Sequence, residues 1–480
     1  MLLIPIFVVF LFFLLSKIAL HYFSKEISAE ASKEECLKIA SAYIRGNQPE
    51  SAIYPLLLAI QKDEDDPFAH FLLAQVYYQT KVYSLARKEC EKALLLDAQN
   101  KKAFDLLTRI RFEEAKANWD KGNLREAVSE FIYILNNTQD QKLIDSIAHL
   151  TGGKYKIKRL TNDLFSDDAP SFSHDGKKII YHSDTNYFSE DYGLKKREVK
   201  KSRVFVMDLN GENKTSLSSN EKDDSSEQFA RFSYDDKKIV YEKENQYPEQ
   251  KNAAFNLDRD IFMKDLATGK VKRLTNNDTY DGLASFSPDD RRILFVCGHF
   301  GGGSSLFILN LDTGEKKGVF FKESFMEKII RRQSRLVLPY CPSFSPHGKK
   351  ILFHAGYKTR KIFLMDEVGE NLKCLTQGQT DDFFPAFSPD GEKIVFVSNQ
   401  QDKEDLSLVN LDGSNRTRLT YDGGEKRYPS FSPDGNFIVF AAKQKDQEDR
   451  YFEIYILNLK ETIPKEKLIQ RLQEMLKAFS

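Results

Sequence analysis

The chain has 480 residues, with 71 Lys plus Arg against 71 Asp plus Glu and a formal charge of zero. So even a balance excludes a polyanion binder working through its overall field, and no nucleic acid is expected as a partner. The length exceeds one ordinary core, and 12% aromatic content, mostly Phe and Tyr, suits a β-rich part.

Residues 1–15 are almost wholly apolar, and 18–23 extend the run past Lys17. With Lys17 snorkelling, 1–23 reaches the ~20 residues a spanning helix needs. The alternative is a signal peptide cleaved after Ala31, releasing a soluble exported protein that starts at Ser32. No Lys or Arg precedes the apolar run and Ala31 lies far beyond Leu15, so the expectation is an uncleaved single-pass anchor at 1–23. Lys17 and Lys25 follow the span and by charge bias alone would leave the body cytoplasmic.

Residues 33–150 read as paired helices. Residues 67–100 fit the tetratricopeptide pattern of about 34 residues per repeat, with Leu73, Ala74 and Tyr77 on one helix and Ala86, Cys90 and Ala93 on the next. Residues 33–66 fit the same frame through Ile39, Ala40, Tyr43, Ala52, Leu56 and Ala59. A third copy keeps Ala115, Gly122, Ala127 and Phe131, its first helix beginning early, near Lys101. Small residues stand where two helices of a pair approach closely. Three copies are about the minimum for a stable solenoid. Residues 142–150 are expected to cap the array, and 151–153 to form a hinge.

From residue 155 a different phrase recurs, beginning at Phe172, Phe232, Phe286, Phe344, Phe387 and Phe431. The copy at Phe387 reads Phe-Ser-Pro-Asp-Gly-Glu-Lys-Ile-Val-Phe-Val-Ser. Each copy is a hairpin: a strand ending at Phe-Ser, a turn of Pro-Asp-Gly type, then a β-branched and aromatic strand. A third strand such as 362–366 follows, then a fourth ending in Leu-Thr at 274–275, 375–376 and 419–420. Four strands per unit, repeated six times, argue for a six-bladed β-propeller. Arg-Leu-Thr at 159–161 precedes the first hairpin, and the last unit lacks a fourth strand. Residues 156–161 are therefore expected to complete blade six and close the ring.

This phrase resembles the WD40-like repeat of TolB-type propellers over 155–459. The departures are Asp235-Asp236 and Asp289-Asp290, which lack the glycine, and His174, Tyr234 and His347 at turn positions. The resemblance implies export, a body outside the cytoplasm, and a lipoprotein partner at the cell envelope. The expected fold is thus an N-terminal tetratricopeptide solenoid, a six-bladed propeller over 155–459, and an amphipathic helix over 464–479. That helix carries Leu468, Ile469, Leu472, Met475, Leu476 and Phe479 on one stripe, expected to pack on propeller or solenoid or else to bind a partner.

The five cysteines are odd in number and scattered, so no disulfide framework is expected. There is no G-x-S-x-G, H-E-x-x-H, C-x-x-C or phosphate-loop motif. Only 21 residues follow 459, too few for a hydrolase domain. His182 and His354 share one register in opposite blades, too little for a metal site. No catalytic residue, cofactor or metal is expected. The alternative is a metal-dependent lyase or hydrolase acting in the propeller channel.

Three long insertions, 184–203, 243–260 and 319–340, fall on the face opposite the tight turns. That face also receives the residues entering each innermost strand: Asp167, Asp168, Glu227, Asp281, Tyr340, Asp382, Phe383, Arg427 and Tyr428. Loops on a rigid scaffold carry function. These nine are the expected funnel rim binding a peptide or basic protein segment, the alternative being merely solvated rim residues, and charge changes beside the tight turns, at Lys270 or Glu315, are expected to be silent. The sequence therefore reads as a non-catalytic interaction scaffold using the propeller funnel and the solenoid groove.

Overall fold

A computed structural model describes residues 30–152, 154–163, 165–192, 195–218, 225–244, 259–277, 279–299, 303–319, 339–356, 359–400, 403–420, 424–443 and 451–479. The expected anchor at 1–23 lies outside them. Among the described residues no helix is long and apolar enough to cross a membrane. They divide into two compact units, one of residues up to Ile147 together with those from Pro464, the other Ala148–Ile463.

In the first unit, helices pair as α1 (Lys33–Arg45) with α2 (Ile53–Lys62), α3 (Pro67–Gln79) with α4 (Tyr83–Leu96), and α5 (Lys101–Asp120) with α6 (Leu124–Asn137). Helix α7 (Gln141–Leu150) follows. The starts are written in the sequence. Ser32 Oγ accepts from the Glu35 amide while the Glu35 carboxylate accepts from the Ser32 amide, a reciprocal cap on α1. Asp66 caps α3 with Pro67 at the first helical position. Ala40, Ala52, Ala59, Ala74, Ala86, Cys90 and Ala93 are fully buried, as close helix contact demands. The C-terminal helix α8 (Lys465–Ala478) packs on α6, burying Leu468 and Leu472, and Lys465 Nζ donates to the Thr138 carbonyl at 2.9 Å. Of the arrangements open in the sequence, the solenoid is the one adopted.

The second unit holds six four-stranded antiparallel sheets, each a meander from its innermost to its outermost strand. Blade six is the exception in sequence, not in form. Its outer strand is Tyr155–Arg159, paired with Glu453–Thr462 so that Lys158 faces Ile456. The start of the propeller closes its end, as expected.

The Leu-Thr phrase has a structural reason. Leu160, Leu375 and Leu419 are buried between strands, and the threonine hydroxyl that follows each serves the third strand of the blade. Thr275 Oγ1 accepts from the Ile261 amide at 3.0 Å and donates to Asp260; Thr420 treats Leu406 and Asp405 alike, and Thr161 treats Ile454 and Glu453. The arginine before each, Arg273, Arg418 or Arg159, bonds the same carboxylate. These buried acids are thus held by both a hydroxyl and a guanidinium.

The turn departures are equally systematic. Gly348, Gly391, Gly435 and Gly176 lie against the turn prolines Pro288, Pro346, Pro389 and Pro433 of the preceding blade, within 3.4–3.7 Å of an added Cβ. The two remaining preceding turns carry His174 and Tyr234, which retain an N–H where proline has none. Opposite them the glycine is replaced by Asp236 and Asp290. Asp236 accepts from the His174 and Asp175 amides at 2.8 and 2.7 Å, and Asp290 from the Tyr234 and Asp235 amides at 2.7 and 2.9 Å. These four departures are interblade clamps.

One expected insertion is not a loop. The second and third strands of blade one, Lys178–Tyr192 and Lys195–Asp208, stay paired to Tyr192 opposite Lys195, so 184–203 extends the hairpin. Most of the other two insertions, 245–258 and 320–338, lies outside the described residues.

Candidate functional site: the propeller channel

The innermost strands of blades one to six are Asp167–Phe172, Glu227–Phe232, Asp281–Phe286, Pro339–Phe344, Asp381–Phe387 and Glu425–Phe431. Each carries the same irregularity. In blade one Asp168 pairs with His182 and Ser171 with Ile180, leaving two residues opposite one; the other five blades repeat this bulge. At each bulge a residue with a side chain sits at positive φ: Ala169, Phe229, Leu283, Cys341, Phe384 and Tyr428, between +46° and +53°. Such a conformation costs about 1 kcal/mol or more per residue, and its sixfold recurrence marks the channel as the place where that cost is accepted. Proline follows in four blades, at Pro170, Pro342, Pro385 and Pro429. Proline in a central strand signals a bulge. That signal was available in the sequence and is the one the periodicity reading passes over.

The bulged residues constrict the channel. Phe229 of blade two meets Tyr428 of blade six at 5.3 Å between ring centroids, and Tyr428 packs tilted against Phe384 at 4.1 Å. The bulge amides are met from the blade before. His182 Nδ1 lies 3.5 Å from the Phe229 nitrogen, His354 Nδ1 lies 3.3 Å from that of Phe384, and the Glu242 carboxylate accepts from Leu283 at 3.3 Å. The two histidines in one register therefore act as acceptors for backbone amides. Burial, with Arg259, Arg231 and Arg427 around one and Arg360 beside the other, lowers each to about 3, so both are neutral. Among the described residues no three His, Cys, Asp or Glu side chains converge as a metal cluster. Burial raises the Cys341 thiol well above its ordinary value, which keeps it protonated.

The nine residues expected on loops at the funnel rim are mostly not exposed. Asp167, Asp281 and Asp382 are fully buried, Glu227 and Phe383 nearly so, and Asp168 largely. They are the first residues of the inner strands, not loop residues, and their neighbours explain them. Asp382 accepts from Arg416 Nη2 at 2.8 Å and Thr380 at 3.0 Å, Asp281 from Asn277 at 2.7 Å, and Asp168 from Arg427 at 3.3 Å. Burial pushes the Asp167 carboxyl up to about 7, the Ser183 and Thr161 hydroxyls opposing it, and pushes Asp168 up to about 6 against Arg427. Tyr340, Arg427 and Tyr428 keep partial exposure. The physical reason is packing: a residue entering an inner strand faces the neighbouring blades as well as the channel, so a carboxylate there is enclosed; Asp382 is paired, whereas both Asp167 oxygens and one Asp281 oxygen are buried without a hydrogen-bond partner among the described residues.

Open space lies on the other side of the constriction. A cavity of about 310 Å³ reaches to the turn prolines Pro346, Pro389 and Pro433. Its inner end is the bulged side chains Phe229, Leu283, Cys341, Phe384 and Tyr428. Its wall includes one residue per blade two places further on: Ser171, Arg231, Ser285, Ser343, Ala386 and Ser430. Arg231 reaches across to blade one, Nη1 donating to the Ala169 carbonyl at 3.0 Å and to Ala230 at 2.9 Å.

Residues 335–468 match the family model described as the TolB beta propeller domain. Over those residues the chain is similar to a TolB propeller. Solved structures similar in fold include TolB from Acinetobacter baumannii, 23% identical over 57% of this chain and 59% of that one, TM-score 0.42. A putative TolB from Agrobacterium tumefaciens is 18% identical, covering 65% and 98%, TM-score 0.43. The oligogalacturonate lyase of Vibrio parahaemolyticus is 13% identical, covering 64% and 94%, TM-score 0.40. A curated relative, the DnaJ homolog subfamily C member 3 of Gallus gallus, is 26% identical over 106 residues. The chain spans 21% of that relative's length and 59% of the Acinetobacter protein's. Within the TolB-like propeller, the polar groups near the constriction serve backbone and blade contacts, whereas the cavity on the turn side is lined without a carboxylate among the described residues.

Proposed function

We propose that this protein is a non-catalytic interaction scaffold of the cell envelope, taking a protein or peptide partner in the propeller channel and a second contact along the solenoid groove. The observation that carries this reading is the channel itself: an apolar, aromatic constriction whose histidines face backbone amides, opening into a cavity of about 310 Å³, the lower end of ligand-pocket sizes. Tyr340, Arg427 and Tyr428, which keep partial exposure, would touch the partner from the other mouth. The buried carboxylates Asp167, Asp281 and Asp382 would hold that mouth in shape. The envelope location rests on the TolB-like propeller and on the apolar run at 1–23.

The test is cross-linking of the full-length protein in its native envelope, followed by identification of bound proteins. Cys341→Trp fills the channel floor and should abolish capture of one partner while leaving others. A partner set unchanged by both this variant and substitutions on α1 and α3 refutes the reading.

A further inference from the structure

The cavity on the turn side holds an imbalance of charge and hydrogen bonding. Arg231 is its sole arginine or lysine, and no aspartate or glutamate lines it among the described residues. No ion pair joins Arg231 to a described carboxylate; Asp168, whose charge acts on it, is bonded to Arg427. Nη1 is occupied by two carbonyls, while Nε and Nη2 make no hydrogen bond to a described residue. A guanidinium presents its donors in a fixed fork, suited to a carboxylate.

The hydroxyls beside it tell the same story. Ser343 Oγ is buried without a hydrogen-bond partner. Ser171 and Ser285 reach backbone carbonyls only at 3.5 Å, the limit of a hydrogen bond. A belt of three weakly satisfied hydroxyls and one guanidinium thus runs along blades one to four, just outside an aromatic floor of Phe229, Phe384 and Tyr428. Buried polar groups of this kind are ordinarily satisfied, so the belt points to an absent acceptor.

We propose that this cavity binds the C-terminal residue of a protein chain, its carboxylate held by Arg231 and the serine belt and its apolar side chain against the aromatic floor. Size agrees: about 310 Å³ admits one or two residues, and the turn prolines form a mouth through which an extended chain can leave. This rests on the interaction reading above and deepens it. It moves recognition to the face on which charge changes were expected to be silent.

The probe is acetyl-Ala-Ala-Phe with a free C-terminal carboxylate, titrated calorimetrically into the full-length protein beside its C-terminal amide. The acid should bind at least about tenfold tighter than the amide, the scale of a charge-assisted hydrogen bond. Arg231→Met should reduce the acid to the affinity of the amide and leave the amide unchanged. Should that variant fail to fold, Ala386→Asp sets a carboxylate at the matching position of blade five without touching Arg231 and should erase the same preference. Equal binding of acid and amide, or undiminished preference in a folded variant, overturns the proposal. N-acetylphenylalanine separates the sources: binding as tight as the tripeptide makes the ligand a small free carboxylate and overturns the chain-terminus assignment. If an envelope partner is captured equally by wild type and Arg231→Met and the tripeptide does not compete, this proposal falls while the scaffold reading stands.

Discussion

Removing Asp236 tests whether the turn departures are clamps. Its carboxylate accepts from two amides of the preceding blade, at 2.8 and 2.7 Å. Hydrogen bonds to a charged group are worth about 1.5–3 kcal/mol each, but the Asp175 amide is near solvent, so roughly 2–3 kcal/mol is expected for Asp236→Ala. Asp236→Gly loses the same bonds but relieves a residue held at φ +54°, recovering about 1 kcal/mol and leaving about 1–2. The double variant His174→Pro with Asp236→Gly rebuilds the proline-on-glycine contact of the other four interfaces. It should return to within about 1 kcal/mol of wild type, far less than the sum of the two single changes. The single tryptophan, Trp119, lies in the solenoid, so the propeller must be followed by calorimetry of the full-length protein. Costs that add in the double variant, or a neutral Asp236→Ala, refute the reasoning.

Asp382→Ala leaves Arg416 and Lys361 beside a void and should lower propeller stability by about 2–4 kcal/mol in urea unfolding, whereas an exposed rim carboxylate would be lost without unfolding. Asp167, raised to about 7, binds a proton in the folded state that the unfolded chain has released above about 4. Its contribution is therefore present at low pH and lost as pH rises through 7, so Asp167→Asn should stabilise the protein at pH 8 relative to wild type and do little at pH 4; a pH-independent effect would refute this. Leu472→Ala empties a fully buried site between α8 and α6 and should cost about 2–4 kcal/mol in the tryptophan-monitored transition of the solenoid, whereas an unchanged transition would show that α8 does not pack.

Much of the architecture is legible in the chain because it is encoded over a few residues. Pro-Asp-Gly turns, strands of period two, capped helices with alanines at packing positions, and a missing fourth strand matched by a spare one at Tyr155–Arg159 need only local chemistry and counting. What the tertiary structure decides is which residues become neighbours around the ring. His174 and Asp236 stand 62 positions apart, as do Ala169 and Arg231, and no period in the sequence relates a histidine N–H to an aspartate one blade on. Exposure is decided the same way. Asp167, Asp281 and Asp382 look like rim carboxylates when read along the chain, yet each is fully buried once the blades are assembled. The cavity likewise exists only once six bulged strands converge, because a channel is a property of their mutual placement and of no single strand.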